Sequence, residues 1–217
     1  MILKFDEIKT PIEINNNDSY QLVIENTSFL YKIVQDLNNF DEDNIILYDG
    51  KNLDVSKNVL FISDLYNLNP NSKKILTANY NYAENISKSA KLMNRLIDVN
   101  SEILEILGEI SLEFNNCVTY SDQITISELL EIYNFKFDFD QLNFIQTFLS
   151  YLKAISISYN YKVLITMNLQ DLVKKDDFQL LCKEINYMNM TLINISSKKS
   201  ELTFSKTLII DNDLCEI

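Results

Sequence analysis

The chain contains no histidine and no tryptophan, and only two glycines, two prolines and three cysteines in 217 residues. Without an imidazole, Ser-His-Asp and Cys-His nucleophile arrangements are excluded. A metal site has to use oxygen ligands, which favours calcium or magnesium. With Gly50 and Gly108 alone, neither G-x-G-x-x-G nor G-x-x-x-x-G-K-[ST] occurs, so the standard dinucleotide and P-loop phosphate cradles are missing. No apolar run approaches the roughly 20 residues that span a membrane. The start, Met1 to Glu7, has neither the basic nor the apolar stretch of a signal peptide. Cys117, Cys182 and Cys215 are far apart with no C-x-x-C spacing, which suits free thiols in a reducing compartment. These features together predict a cytoplasmic location.

What is present is apolar and acidic. Hydrophobic residues make up 47% of the chain, with 12 Phe and 12 Tyr, enough for a sizeable core in one or two domains. The net charge is -12. A polyphosphate partner therefore needs a local basic surface, or acidic clusters masked by cations.

The two ends of the sequence pattern as α/β. Ile2–Phe5, Ile12–Ile14 and Tyr20–Glu25 read as strands, and Thr27 or Ser28 caps a helix through Leu37. Ile45–Tyr48 and Val59–Ile62 suit strands buried on both faces, with a turn at Asp49-Gly50. From about Asn71 to Phe114 the period becomes helical. Ile86, Met93, Asn100 and Leu107 repeat at seven, as do Leu96, Ile103 and Ile110, beside Ala83, Ala90, Ile97 and Leu104. Such a seam predicts long helices packed against partners, with Asn79-Tyr80-Asn81 a candidate break and Asn115-Asn116 the end. A short helix to Tyr133 follows, then a strand marked by Phe135, Phe137 and Phe139, then a helix carrying Leu142, Ile145, Leu149 and Leu152. Val163–Met167, Leu192–Ile195 and Leu208–Ile210 are strands, with a helix over Phe178–Met188. The organisation predicted is an α/β head from residues 1–70 and 158–217, with a mainly helical leg, 71–157, inserted in it.

Several residues could carry chemistry. Asp122, Glu128 and Glu131 offer carboxylates around the start of a helix, the last two three apart on one face, as oxygen ligands for calcium. The same residues suit a plainer role: Asp122 or Thr125 caps the helix and Glu128 sits in its first turn. Lys88, Lys91 and Arg95 fall at i, i+3 and i+7, one basic stripe on a helix, able to track a phosphate backbone or simply to face solvent. Lys73-Lys74, Lys174-Lys175 and Lys198-Lys199 are further phosphate candidates. Asp138 and Asp140 would share one side of a strand, where solvated charge is the simpler explanation. Asp41-Glu42-Asp43 and Asp211-Asn212-Asp213 suit surface charge better than a two-metal centre. Aromatic-basic interleaving of the base-stacking kind is not evident.

Three segments, Leu60-Phe61-Ile62-Ser63-Asp64-Leu65, Asp122-Gln123-Ile124-Thr125-Ile126-Ser127-Glu128-Leu129 and Ile209-Ile210-Asp211-Asn212-Asp213-Leu214-Cys215, carry a likeness that extends to the order of elements and the length. The chain resembles the short form of the adaptation protein of type II-A CRISPR systems, the Csn-two family of antiviral defence. The resemblance implies a head like a P-loop ATPase core stripped of its nucleotide motif, a helical leg, tetrameric rings, bound calcium, and linear double-stranded DNA threaded through the ring. It implies assistance to spacer acquisition without catalysis, alongside the adaptation integrase and the effector nuclease. Gln123 stands where the family would have a second acid, and a neutral amide is a poorer calcium ligand. The alternative of different class is an acidic protein-interaction scaffold that binds no nucleic acid, with a metal-dependent nuclease third.

Overall fold

A computed structural model describes residues 1–15, 18–138 and 143–217. The chain divides into two compact units, Met1–Asn69 with Phe139–Ile217, and Pro70–Asp138. The first runs through β1 (Ile2–Phe5), β2 (Ile12–Glu13), β3 (Ser19–Ile24), α1 (Thr27–Asn39), β4 (Ile45–Tyr48), β5 (Asn52–Leu53), α2 (Val55–Asn58) and β6 (Val59–Ile62). The second holds α3 (Lys73–Ser87), α4 (Ala90–Glu113) and α5 (Ile126–Ile132). The first resumes with α6 (Phe144–Ser158), β7 (Val163–Met167), α7 (Lys175–Tyr187), β8 (Thr191–Ser196) and β9 (Lys206–Ile210).

The core of the first unit is a five-stranded sheet in the order β6-β7-β8-β3-β9, every pair parallel. Parallel strands need covering on both faces, and the side-chain alternation shows how that is done. Val163, Ile165, Ile193 and Ile195 point into one cluster, with Phe29, Ile33 and Leu37 of α1. Leu164 and Leu192 point into another, with Phe148 and Leu152 of α6 and Phe178, Leu181 and Ile185 of α7. Each fully buried Leu or Phe contributes about 1.5–3 kcal/mol.

A smaller antiparallel sheet, β2-β1-β4-β5, completes the first cluster through Leu3, Phe5, Ile45 and Leu47. The expectation that Ile45–Tyr48 is buried on both faces is corrected here. Ile45 and Leu47 are buried, while Ile46 and Tyr48 are exposed, the pattern of an antiparallel strand with one free face. The final turns are tied to the beginning of the chain: Glu216 accepts hydrogen bonds from the backbone N–H groups of Lys9 and Thr10, and pairs as a bridge with Ile210.

The helical unit ends at Asp138, earlier than the 157 expected, because α6 belongs to the first unit. Its Phe148, Leu152, Ala154 and Ile155 are buried, and helical periodicity alone does not say which surface such a face will cover. Asn79-Tyr80-Asn81 does not break α3. Tyr80 is buried and its hydroxyl donates to the carbonyl of Phe135 at 2.6 Å. The break falls at Lys88-Ser89, where Ser89 is extended (φ -60, ψ 135) and starts α4. Asn115 and Asn116, both at positive φ, end that helix as expected.

Phe135–Asp138 is not a strand. Its backbone is held by a side chain instead: Phe137 donates to Asn71 Oδ1 at 2.8 Å and accepts from Asn71 Nδ2 at 2.9 Å. Phe139 and Asp140, also part of that reading, and Leu142, expected in the next helix, lie outside the described residues. α5 starts on a capping box. Thr125 Oγ1 accepts from the Glu128 N–H at 3.1 Å, and Glu128 Oε2 accepts from both the Thr125 N–H and its hydroxyl at 2.8 Å.

Two outcomes follow from these contacts. Thr125→Ala should lower stability by about 1 kcal/mol, the usual cost of a lost cap, whereas Glu128→Gln, which preserves the box, should stay close to the parent; urea unfolding measures both. The hydrogen bonds from Thr125 hold the Glu128 carboxyl below its ordinary range, so the small charge-dependent part of the box is present above that range and is lost as pH falls through the depressed value. Burial pushes the Cys182 thiol up to about 11, against a weaker lowering by Ser19. The folded state therefore favours the neutral thiol, and stability falls only as pH climbs above the ordinary thiol value of 9.0. At about pH 8, iodoacetamide should modify the exposed Cys117 and Cys215 quickly and Cys182 only after denaturant is added, as read by mass spectrometry.

Candidate nucleic-acid interface

The carboxyl edge of a parallel sheet is where α/β proteins place ligands. After β3 only Glu25 and Asn26 separate strand from helix, which leaves no length for a phosphate-binding loop. Asn26 caps α1, its Oδ1 accepting from the Phe29 N–H at 3.0 Å and its Nδ2 donating to the Asn212 carbonyl at 3.0 Å. One of the amides that a phosphate would use is thus answered by the chain itself. The unit is an α/β head built on a parallel sheet, without the glycine-rich nucleotide motif.

Over the next two strands, β8 and β7, the edge opens. Residues following β7 and β8 line a cleft of about 710 Å³ that includes Lys174, Lys175, Lys198 and Lys199. The first two lie at the start of α7, the others in the loop after β8. Two lysine pairs far apart in sequence therefore come together. All four are exposed, and among the described residues none makes an ion pair, although Asp171 and Glu201 line the same cleft. Lys73-Lys74 stands elsewhere, in the first turn of α3.

The three-residue basic stripe is interrupted. Lys88 is the C-cap of α3, donating to Asn85 Oδ1 at 2.9 Å, while Lys91 and Arg95 lie in the first two turns of α4. Further along, Asp98, Glu102, Glu105, Glu109 and Glu113 follow at helical spacing on the same face. A duplex laid along α4 would meet two cations and then five carboxylates.

Among the described residues, Asp122, Glu128 and Glu131 do not converge as three carboxylates on one position. Glu128 and Glu131 share a groove of about 370 Å³ with Asn100, Ser121 and Gln123, but Asp122 is not part of it. Asp122 faces this region through its backbone carbonyl, which accepts from Asn100 Nδ2 at 2.9 Å. One Glu128 oxygen is committed to the capping box. Among the described residues no three acidic or thiol side chains converge on a metal position. Two carboxylates, one of them half used, fall short of the six to eight oxygens calcium takes.

The sequence reading missed a second seam on α4. Asn100, Ile103, Leu104 and Leu107, part of the expected seam, line the groove within the helical unit. Leu92, Val99 and Ile106 instead stand out, 44%, 48% and 57% exposed, together with Ile110 of the expected seam, 47% exposed. Their spacing of seven, seven and four was a readable signal, hidden because the helix is apolar over more than half its circumference. Also missed were Gln21 and Asn194, polar residues inside apolar strands and almost wholly buried.

No helix among the described residues is long and apolar enough to cross a membrane. No curated protein matches the chain. Among solved structures, the chain is similar to a metal-chelate type ABC transporter in an inward-facing conformation, at 12% identity and a TM-score of 0.49, covering 100% of this chain and 82% of that one. It is also similar to the ATP-binding protein of an ABC transporter from Pyrococcus furiosus, at 10% identity and a TM-score of 0.46, covering 96% and 97%. Both likenesses are weak, so the fold description rests on the strand order itself. A family model described as CRISPR-associated protein (Cas_Csn2) matches residues 36–214. Because that match runs from within α1 to the turn after β9, it takes in both units, and the chain belongs to this family of CRISPR-associated proteins.

Proposed function

We propose that this chain is a non-catalytic accessory protein of CRISPR spacer acquisition that assembles into a ring of identical subunits, a tetramer, and binds double-stranded DNA by its ends. The adaptation integrase and the effector nuclease are its proposed protein partners. One observation carries the assembly: α4 is 24 residues long and leaves Leu92, Val99, Ile106 and Ile110 uncovered. An apolar seam of that length favours a partner.

The flanking charges favour a second copy of the same helix, packed antiparallel. In that arrangement Lys91 comes opposite Glu113, and Arg95 opposite Glu109, both pairs centred on residue 102. Within one helix, cations at the N-terminus and acids at the C-terminus oppose the macrodipole, a cost that the antiparallel pair offsets. Lys91 and Arg95, proposed from their spacing as DNA contacts together with Lys88, thus have an alternative use in assembly. Calcium, held in part by Glu128 and Glu131, which share one groove, belongs to this proposal, with its remaining oxygen ligands supplied from outside that pair. The rival reading, an acidic scaffold without nucleic acid, draws support from the net charge of -12.

Light scattering should give an oligomer for the parent chain. Lys91→Glu with Arg95→Glu should reduce its mass, and adding Glu109→Lys with Glu113→Lys should restore it. A monomeric parent at all concentrations would overturn the ring. For DNA, linear duplex should bind without sequence preference and covalently closed circles poorly, since a closed ring is entered only from a free end. Affinity should fall steeply with salt as phosphate contacts release counterions. Equal affinity for linear and circular DNA removes the threading claim, and no salt-sensitive binding leaves the scaffold.

A further inference from the structure

The cleft at the carboxyl ends of β7 and β8 has a construction that the fold alone does not explain. Asn194 on β8 is fully buried. Its Oδ1 accepts from the Leu169 N–H at 2.9 Å and from the Thr166 hydroxyl at 3.2 Å, and its Nδ2 donates to Gln170 Oε1 at 2.8 Å. Gln170 in turn donates to Asn168 Oδ1 at 3.4 Å, and both line the cleft. The opposite wall is fixed in the same way. Gln21, buried on β3, donates to Ser196 Oγ at 3.1 Å and to the Lys198 carbonyl at 3.3 Å, and Ser196 donates to that carbonyl at 2.9 Å. Two buried amides therefore set the loops that carry Lys174, Lys175, Lys198 and Lys199.

The charge placement is costly as structure alone. Lys174 occupies the N-cap of α7 with no side-chain cap, and Lys175 follows it, where the helix dipole disfavours cations. Asp176 and Asp177 answer the dipole but do not line the cleft. Four lysines against Asp171 and Glu201 leave a local positive excess in an acidic chain, and a concave surface concentrates that field. Local rules are broken in this way where a ligand repays them.

We propose that this cleft is a phosphate-binding site that takes two or more adjacent phosphates, from a nucleic-acid backbone or from a free polyphosphate. Its extension to DNA rests on the function proposed above; the phosphate site itself does not. The test uses inorganic tripolyphosphate and an end-labelled duplex with the full-length chain. Calorimetry should find one tripolyphosphate per chain. Lys198→Gln with Lys199→Gln, and separately Lys174→Gln with Lys175→Gln, should each weaken it by at least about tenfold, the loss expected for charge-assisted hydrogen bonds. Lys51→Gln with Lys183→Gln removes the same charge elsewhere on the unit and should leave it unchanged. The Lys198 and Lys199 pair is the safer variant, since the loop is pinned through a backbone carbonyl and not through those side chains. No tripolyphosphate binding by the parent chain, or an equal loss in the control pair, overturns the site. Displacement of the duplex by tripolyphosphate identifies the DNA backbone as the source; binding of both without displacement identifies a free polyphosphate. A chain that binds tripolyphosphate but no duplex keeps the cleft and loses the DNA reading.

Discussion

Every feature of the head depends on burying β7 and β8 on both faces. Those two strands supply apolar side chains to opposite sides in alternation, so each side needs a cover of its own. α1 and the antiparallel sheet form one cover, α6 and α7 the other. With both faces closed, only the ends of the strands remain for function. At the carboxyl end of β3 the Asn26 cap closes the edge, and at the ends of β7 and β8 the open part carries the four lysines.

The sequence was most legible where burial is complete. Val163–Met167 agrees with the strand at both ends, because a run of apolar residues between turns has few other fates. It was least legible where side chains substitute for backbone pairing. The alternation at Phe135 and Phe137 suggested a strand, but Asn71 supplies both hydrogen bonds that a neighbouring strand would have made. Likewise, periodicity located α6 without telling which unit it covers. For the site, the residue types of the two lysine pairs were visible, but their meeting was not. Only the strand order brings the segment after β7 beside the segment after β8.

The electrostatics of the chain are local rather than global. A net charge of -12 repels polyphosphates at long range, and salt shortens that repulsion to about 10 Å at 0.1 M. Within such a distance the cleft and the sign change along α4 decide what approaches. The acids of α4 lie on the helix that also carries the exposed seam, so the negative charge is concentrated on a surface proposed to pair with itself. An oligomer formed there would hide acidic groups of the helical unit.

The position of β3 in the sheet sets a limit on how the chain comes together in time. Tyr20 is opposite Ile193 on one side and Lys206 on the other, so the strand made early has neighbours that are made last. All six of its residues are buried in the finished sheet. During synthesis Leu22, Val23 and Ile24 leave the ribosome with no partner strand, and loop closure over most of the chain must precede any pairing. The helical unit, whose contacts are local, can organise in the meantime. The head therefore closes in one late step, and until then an apolar strand with both edges open is exposed to misassembly and to chaperones.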